Sequence, residues 1–159
     1  MSGEPVLSGR KPPELALRVA SAVVLIVVAL AATWRGGGVF ALLCAVAAAI
    51  VLGEYLRMVR PALARHAETA AYVSLAATVG LWFAAGSGDA VAAAGICVVL
   101  LAAYEYSRGR RPWSAIGLGY AAAPFLALSL IRGSDSTGAH VTVLIFAAVW
   151  ATDVFAYFA

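Results

Sequence analysis

Charge is what this chain has least of. Asp, Glu, Lys and Arg together make up 12% of its 159 residues, against 64% hydrophobic residues. Soluble domains carry about 25% charged and about 45–50% apolar residues. The shortage excludes an ordinary soluble fold, because too little polar surface remains to cover a core of that size. Cysteine and histidine are also scarce, with two of each. Cys44 and Cys97 sit inside apolar runs without a partner at metal-ligand spacing, which leaves them as small packed hydrophobes. His66 and His140 fall in loops or at a helix edge, with no ligand partner at useful spacing. The chain has no Gly-rich phosphate loop after a strand, no Cys/His zinc pattern and no Ser nucleophile elbow. A net charge of +3 does not point to nucleic acid, because the basic residues lie between apolar runs and no aromatic residues are interleaved with them.

Apolar runs are what the chain does have. A membrane-crossing helix needs roughly 20 mostly apolar residues. Six runs approach that length: 15–34, 39–58, 69–85, 90–106, 113–131 and 140–159. Between them lie the expected breakers Gly36-Gly37-Gly38, Pro61, Gly86-Ser87-Gly88, Arg110-Arg111-Pro112 and the polar stretch from Gly133 to Gly138. The expectation is an all-α, polytopic helical membrane protein with about six transmembrane helices. A polar lead over residues 1–13 is expected to be disordered and cytoplasmic, followed by a helical membrane domain over 14–159. The first run could pass for a signal peptide, but it is long for one and further spans follow.

Loop charge sets the expected orientation. Arg10, Lys11, Arg18, Arg57, Arg60, Arg65, Arg108, Arg110 and Arg111 fall on one side of the alternating runs, and only Arg35 and Arg132 on the other. The positive-inside rule then puts the N-terminus in the cytoplasm. Six crossings return the last run to the same side, in the cell's inner (plasma) membrane.

The polar residues inside or beside these runs are the candidates for chemistry. Asp153 is a lone carboxylate in an apolar run, and an intramembrane acid is a functional-site hypothesis by default. It could ligate a metal or a nucleotide phosphate, or serve a proton path. A structural carboxylate at a helix end is the plainer account. Tyr157 lies four residues on, on the same helical face, where it could join the site or act as an interfacial aromatic. Glu54 and Arg57, and again Glu105 and Arg108, stand three residues apart, as local ion pairs would. Arg18, one turn inside the first run, could snorkel to the headgroups or hold a lipid phosphate. Pro124 interrupts the fifth run and is expected to kink it and free backbone groups around a cavity. The last run closes with no Gly, Pro or charge, and one acid cannot support two-metal or phosphoryl chemistry alone. The remainder of the site is therefore expected on chain beyond residue 159.

Several segments, taken in order, resemble bacterial phosphatidate cytidylyltransferases, also called CDP-diglyceride or CDP-diacylglycerol synthases. The segments are Leu17-Arg18-Val19-Ala20-Ser21-Ala22, Gly53-Glu54-Tyr55-Leu56, the Pro124-containing fifth run, and Trp150-Ala151-Thr152-Asp153-Val154-Phe155-Ala156-Tyr157. The family's later Ser-Pro-Lys-Lys-Thr-like loop and its His-Gly-Gly and Asp-Arg-Asp segments are absent, so the chain resembles the N-terminal part of such an enzyme, which alone would be inactive. The resemblance implies transfer of a cytidylyl group from CTP to phosphatidic acid, giving CDP-diacylglycerol and pyrophosphate, with Mg2+ as cofactor. It maps Asp153 onto a catalytic and metal-binding role and Tyr157 near the substrate, with Arg18 as a further lipid-phosphate contact. A homodimer is among the partners to be expected. A small transporter, a structural membrane subunit and a CTP-dependent lipid kinase of similar build are the competing accounts.

Overall fold

The computed structural model describes residues 14–59 and 65–158. These form six α-helices: α1 (Glu14–Arg35), α2 (Gly37–Val59), α3 (Arg65–Ala84), α4 (Ser87–Ser107), α5 (Trp113–Arg132) and α6 (Ser136–Phe158). No strand occurs among the described residues. The six apolar runs are therefore six helices. Among the described residues, α2, α4, α5 and α6 are long and apolar enough to cross a membrane, and α1 adds a shorter apolar helix, Val19–Arg35. α3 opens on Arg65, His66 and Glu68, and that polar first turn leaves it outside the set. The expected disordered lead, residues 1–13, lies outside the described residues.

Short turns force consecutive helices to run antiparallel. Gly36 takes a φ of 65° between α1 and α2, and Gly109 one of 66° after α4. Both are left-handed conformations that side chains with a Cβ resist. Side-chain neighbours bear out the alternation. Gly38 at the start of α2 meets Phe83 at the end of α3. Tyr55 near the end of α2 lies against Gly117 near the start of α5.

α5 sits at the centre, packed on α2, α3, α4 and α6. Half of its apolar stretch is buried inside the bundle, against 6% for α6, so α6 lies at the edge of the described bundle. Small residues allow the close packing of α2 on α5. Ala41, Ala45, Ala48 and Leu52 form one buried stripe of α2, facing Leu118, Ala121, Ala122 and Phe125 of α5. A Cβ at Gly117 would come within 2.5 Å of the Tyr55 ring. Trp82 of α3 meets Phe125 edge-on, with centroids 5.6 Å apart. Threonine hydroxyls within the helices donate to the carbonyl four residues back, as Thr33 does to Ala29 (2.7 Å) and Thr78 to Ser74 (2.9 Å). Each thus satisfies its polar group without water.

Candidate functional site

The alternating helices give the bundle two chemically different ends. One end collects the C-termini of α2, α4 and α6 and the N-termini of α3 and α5. Arg57, Arg108, Arg110, Arg111 and Asp153 belong to it. The other end holds Arg35 and Arg132.

Asp153 lies in the last two turns of α6. Residues 146, 150, 153 and 157 recur at spacings of four, three and four, which puts them on one face of the helix. Phe146 and Trp150 stack along that face, centroids 5.5 Å apart and planes 17° from parallel. Phe146 also reaches Phe40 of α2 at 6.4 Å. Together Phe146 and Trp150 wall an apolar cavity of about 450 Å³ between α1, α2 and α6, whose other walls include Ala22, Ile26 and Ala29 of α1 and Ala47 of α2. Ala47 also borders a second apolar cavity of about 210 Å³, where Pro124 of α5 faces Cys44 of α2. The cavity expected beside Pro124 is thus present, although α5 runs through the proline as one continuous helix.

Asp153 is exposed one turn beyond Trp150, with no hydrogen bond or ion pair to any described residue. The site residues expected from the sequence are only partly brought together. Tyr157 follows Asp153 on α6, and Arg18 precedes Ala22 by four residues on α1, but the side chains of both lie outside the described residues. No three His, Cys, Asp or Glu side chains stand close enough to hold a metal among the described residues. Within them, Asp153 is an exposed carboxylate one turn beyond Trp150, which is the last α6 residue to line the apolar cavity.

The two Glu–Arg spacings have different outcomes. Arg57 donates to Glu54 at 2.9 Å in an exposed ion pair, as expected. Glu105 does not pair with Arg108, whose guanidinium lies 5.5 Å over the Tyr104 ring. Instead Glu105 is 2% exposed and turns inward, accepting hydrogen bonds from the backbone N–H groups of Ser114 (3.2 and 3.3 Å) and Ala115 (3.4 Å). Pro112, the residue that opens α5, provides no side-chain cap. Free amides at a helix start attract a carboxylate, and that attraction wins over an exposed ion pair worth little in water.

Sequence reasoning assigned Arg132 to loop charge and missed its structural role. It is 5% exposed. Its guanidinium donates to the Thr33 carbonyl at 2.5 Å, the Trp34 carbonyl at 3.4 Å, and the carbonyls of Gly133 and Asp135 at 3.4 and 3.0 Å. The first two carbonyls belong to the end of α1, so Arg132 caps that helix. Its partner Thr33 lies 99 positions away in the chain, and no local spacing signals the contact.

Residues 16–159 match the model of the cytidylyltransferase family. Phosphatidate cytidylyltransferases of Brucella abortus biovar 1 (strain 9-941), Brucella suis biovar 1 (strain 1330) and Brucella melitensis biotype 1 are each 43% identical to this chain over 65 residues. Those residues are 41% of this chain and 23% of each relative, so the match spans about a quarter of the relatives' length. No solved structure matches. With its model matched over nearly the whole of the described bundle, the chain belongs to the cytidylyltransferase family, a family of transferase enzymes.

Proposed function

We propose that this chain forms the lipid-facing part of a phosphatidate cytidylyltransferase, in which CTP and phosphatidic acid give CDP-diacylglycerol and pyrophosphate. One observation carries the proposal beyond family membership. Asp153 shares its α6 face with Phe146 and Trp150, which wall the apolar cavity between α1, α2 and α6. A lipid acyl chain has the chemistry of that cavity. With the chain seated there, the lipid phosphate lies near Asp153, at the basic end of the bundle. Loop charge makes that end cytoplasmic, where CTP is available, and the membrane is then the inner (plasma) membrane.

The reaction joins a phosphate oxygen of phosphatidic acid to the α-phosphorus of CTP and breaks the bond to pyrophosphate. The bilayer and the cavity hold one reactant at a fixed depth, which lowers the entropic cost of bringing the two together. Asp153 suits Mg2+, which is commonly held by one or two carboxylates plus substrate phosphates. When bound, that ion supplies charge neutralisation to the triphosphate. Arg18, four residues before Ala22 on α1, is proposed as a contact for the lipid phosphate, and Tyr157 as a substrate contact one turn beyond Asp153. The transporter and structural-subunit alternatives gain no support from family membership.

The test is incorporation of labelled CTP into CDP-diacylglycerol by membranes carrying the protein expressed from its whole reading frame. Activity that falls roughly a hundredfold in Asp153→Asn, the scale of losing one electrostatic contact to the reacting group, supports the proposal. Full activity in Asp153→Asn refutes the role of that residue. No cytidylyl transfer by the unsubstituted protein refutes the whole.

A further inference from the structure

The end of the bundle opposite Asp153 holds a further cavity, and its chemistry differs. It measures about 450 Å³ and lies between the end of α1, the end of α5 and the start of α6, lined by Thr33, Arg35, Arg132, Ser134, Ser136 and His140 among others. From Ser136 to Asp153 along α6 is roughly 25 Å at 1.5 Å per residue. The two places are therefore separate.

Two arginines against one carboxylate make this cavity positive. Arg132 is buried, and no carboxylate among the described residues pairs with it; its four partners are backbone carbonyls. The carbonyl end of α1 offers only about half a negative charge, so part of the guanidinium charge is uncompensated in a region of low dielectric. Arg35 is exposed beside it with no ion pair or hydrogen bond to a described residue, and the exposed His140 ring adds a hydrogen-bond donor. The one acid at the rim, Asp135, is held by the start of α6, its Oδ1 accepting the Gly138 N–H at 3.2 Å, and its single charge leaves the two arginines in excess. The hydroxyls of Ser134 and Ser136 add donors.

We propose that this cavity binds the phosphate group of an anionic phospholipid in the leaflet opposite Asp153. Arg35 and His140 contact the phosphate, and Arg132 supplies fixed charge from behind while holding α1 and α5 together. This site does not depend on the proposed transferase reaction, and it uses none of that reaction's residues.

Native mass spectrometry of the protein expressed from its whole reading frame, released from detergent with added lipid, tests it. Phosphatidylglycerol is the probe, because it is anionic and is not the substrate proposed above. The expected result is retention of phosphatidylglycerol in preference to phosphatidylcholine. That preference falls roughly fivefold in Arg35→Gln/His140→Gln, the loss of one arginine near the headgroups at about 1 kcal/mol, and survives in Arg110→Gln/Arg111→Gln at the other end. Both cavity side chains are exposed, so helicity by circular dichroism stays unchanged, and Arg35→Lys keeps most of the preference. Displacement by millimolar inorganic phosphate assigns the same contacts to a free phosphate; retention in its presence assigns them to the lipid. Equal retention of both lipids by the wild-type chain, or an unchanged preference in the double variant, overturns the proposal.

Discussion

The carboxylate of Glu105, at the end of α4, accepts the backbone N–H of Ser114 at the start of α5 across a five-residue turn. The backbone carbonyl of the same residue accepts the N–H groups of Arg108 and Arg110 at 3.1 and 3.0 Å. Glu105 therefore closes one helix with its main chain and opens the next with its side chain. α5 is the central helix of the bundle, so the position of its first turn sets the packing of α2, α3 and α4 around it.

Removing that side chain leaves two buried amides without partners. Glu105→Ala is expected to destabilise the bundle by about 1–2 kcal/mol, the usual scale for losing a cap. Glu105→Gln, which keeps an acceptor oxygen but not the charge, should recover part of the loss. Unfolding by sodium dodecyl sulfate in mixed micelles, followed by circular dichroism, measures both. Stability equal to wild type in the alanine variant would show the cap to be without weight.

The turn between α1 and α2 depends on Gly36 for two reasons. Its φ of 65° is one that only glycine adopts freely, and a Cβ there would overlap the Arg132 guanidinium. Gly36→Ala is expected to cost about 1–3 kcal/mol and to loosen α1 from α5. A cysteine pair placed at the ends of α1 and α5 should cross-link more slowly in that variant than in wild type. Gly37 has a φ of 52° but open space around it, so Gly37→Ala should show the backbone cost alone.

Tyr55 and Gly117 make a similar pair within the membrane. The ring lies where a Cβ on Gly117 would sit, 2.5 Å from the nearest ring carbon. α2 and α5 form the tightest part of the core, so the added methyl cannot be absorbed by moving backbone, and the ring must turn away from Gly117. Gly117→Ala is expected to destabilise by about 1–3 kcal/mol, the range for overpacking. Tyr55→Leu in the same chain should relieve part of that cost. Thermal unfolding of the two single variants and the double variant gives the coupling directly.

The helices were legible in the sequence because each is a long apolar run, all but the last ended by Gly, Pro or charge, and lipid leaves a chain few other choices. The Glu54–Arg57 pair was legible because both partners sit on one helix three residues apart. Glu105 and Arg132 were not. Glu105 has an arginine at the same spacing, and only the folded turn shows that the free amides of α5 compete for it. Arg132 reads as loop charge until α1 and α5 are placed side by side. Asp153 stood out as an acid in an apolar run. That its face continues into the Phe146–Trp150 wall could be read from the spacing, but that this face meets α1 and α2 could not.

Asp153 separates stability from chemistry in one residue. Exposed and without a described partner, it contributes little to holding α6 in place. Asp153→Asn is therefore expected to unfold within about 0.5 kcal/mol of wild type, as surface substitutions do, while cytidylyl transfer by the protein expressed from its whole reading frame falls roughly a hundredfold. Trp150→Ala should behave differently. It opens the wall of the cavity and removes the stacking on Phe146, so the dependence on lipid concentration should weaken while the dependence on CTP stays near wild type. Measuring KM for each substrate in both variants resolves the two roles. If Trp150→Ala changes the two dependences equally, the cavity is not where the lipid chain lies.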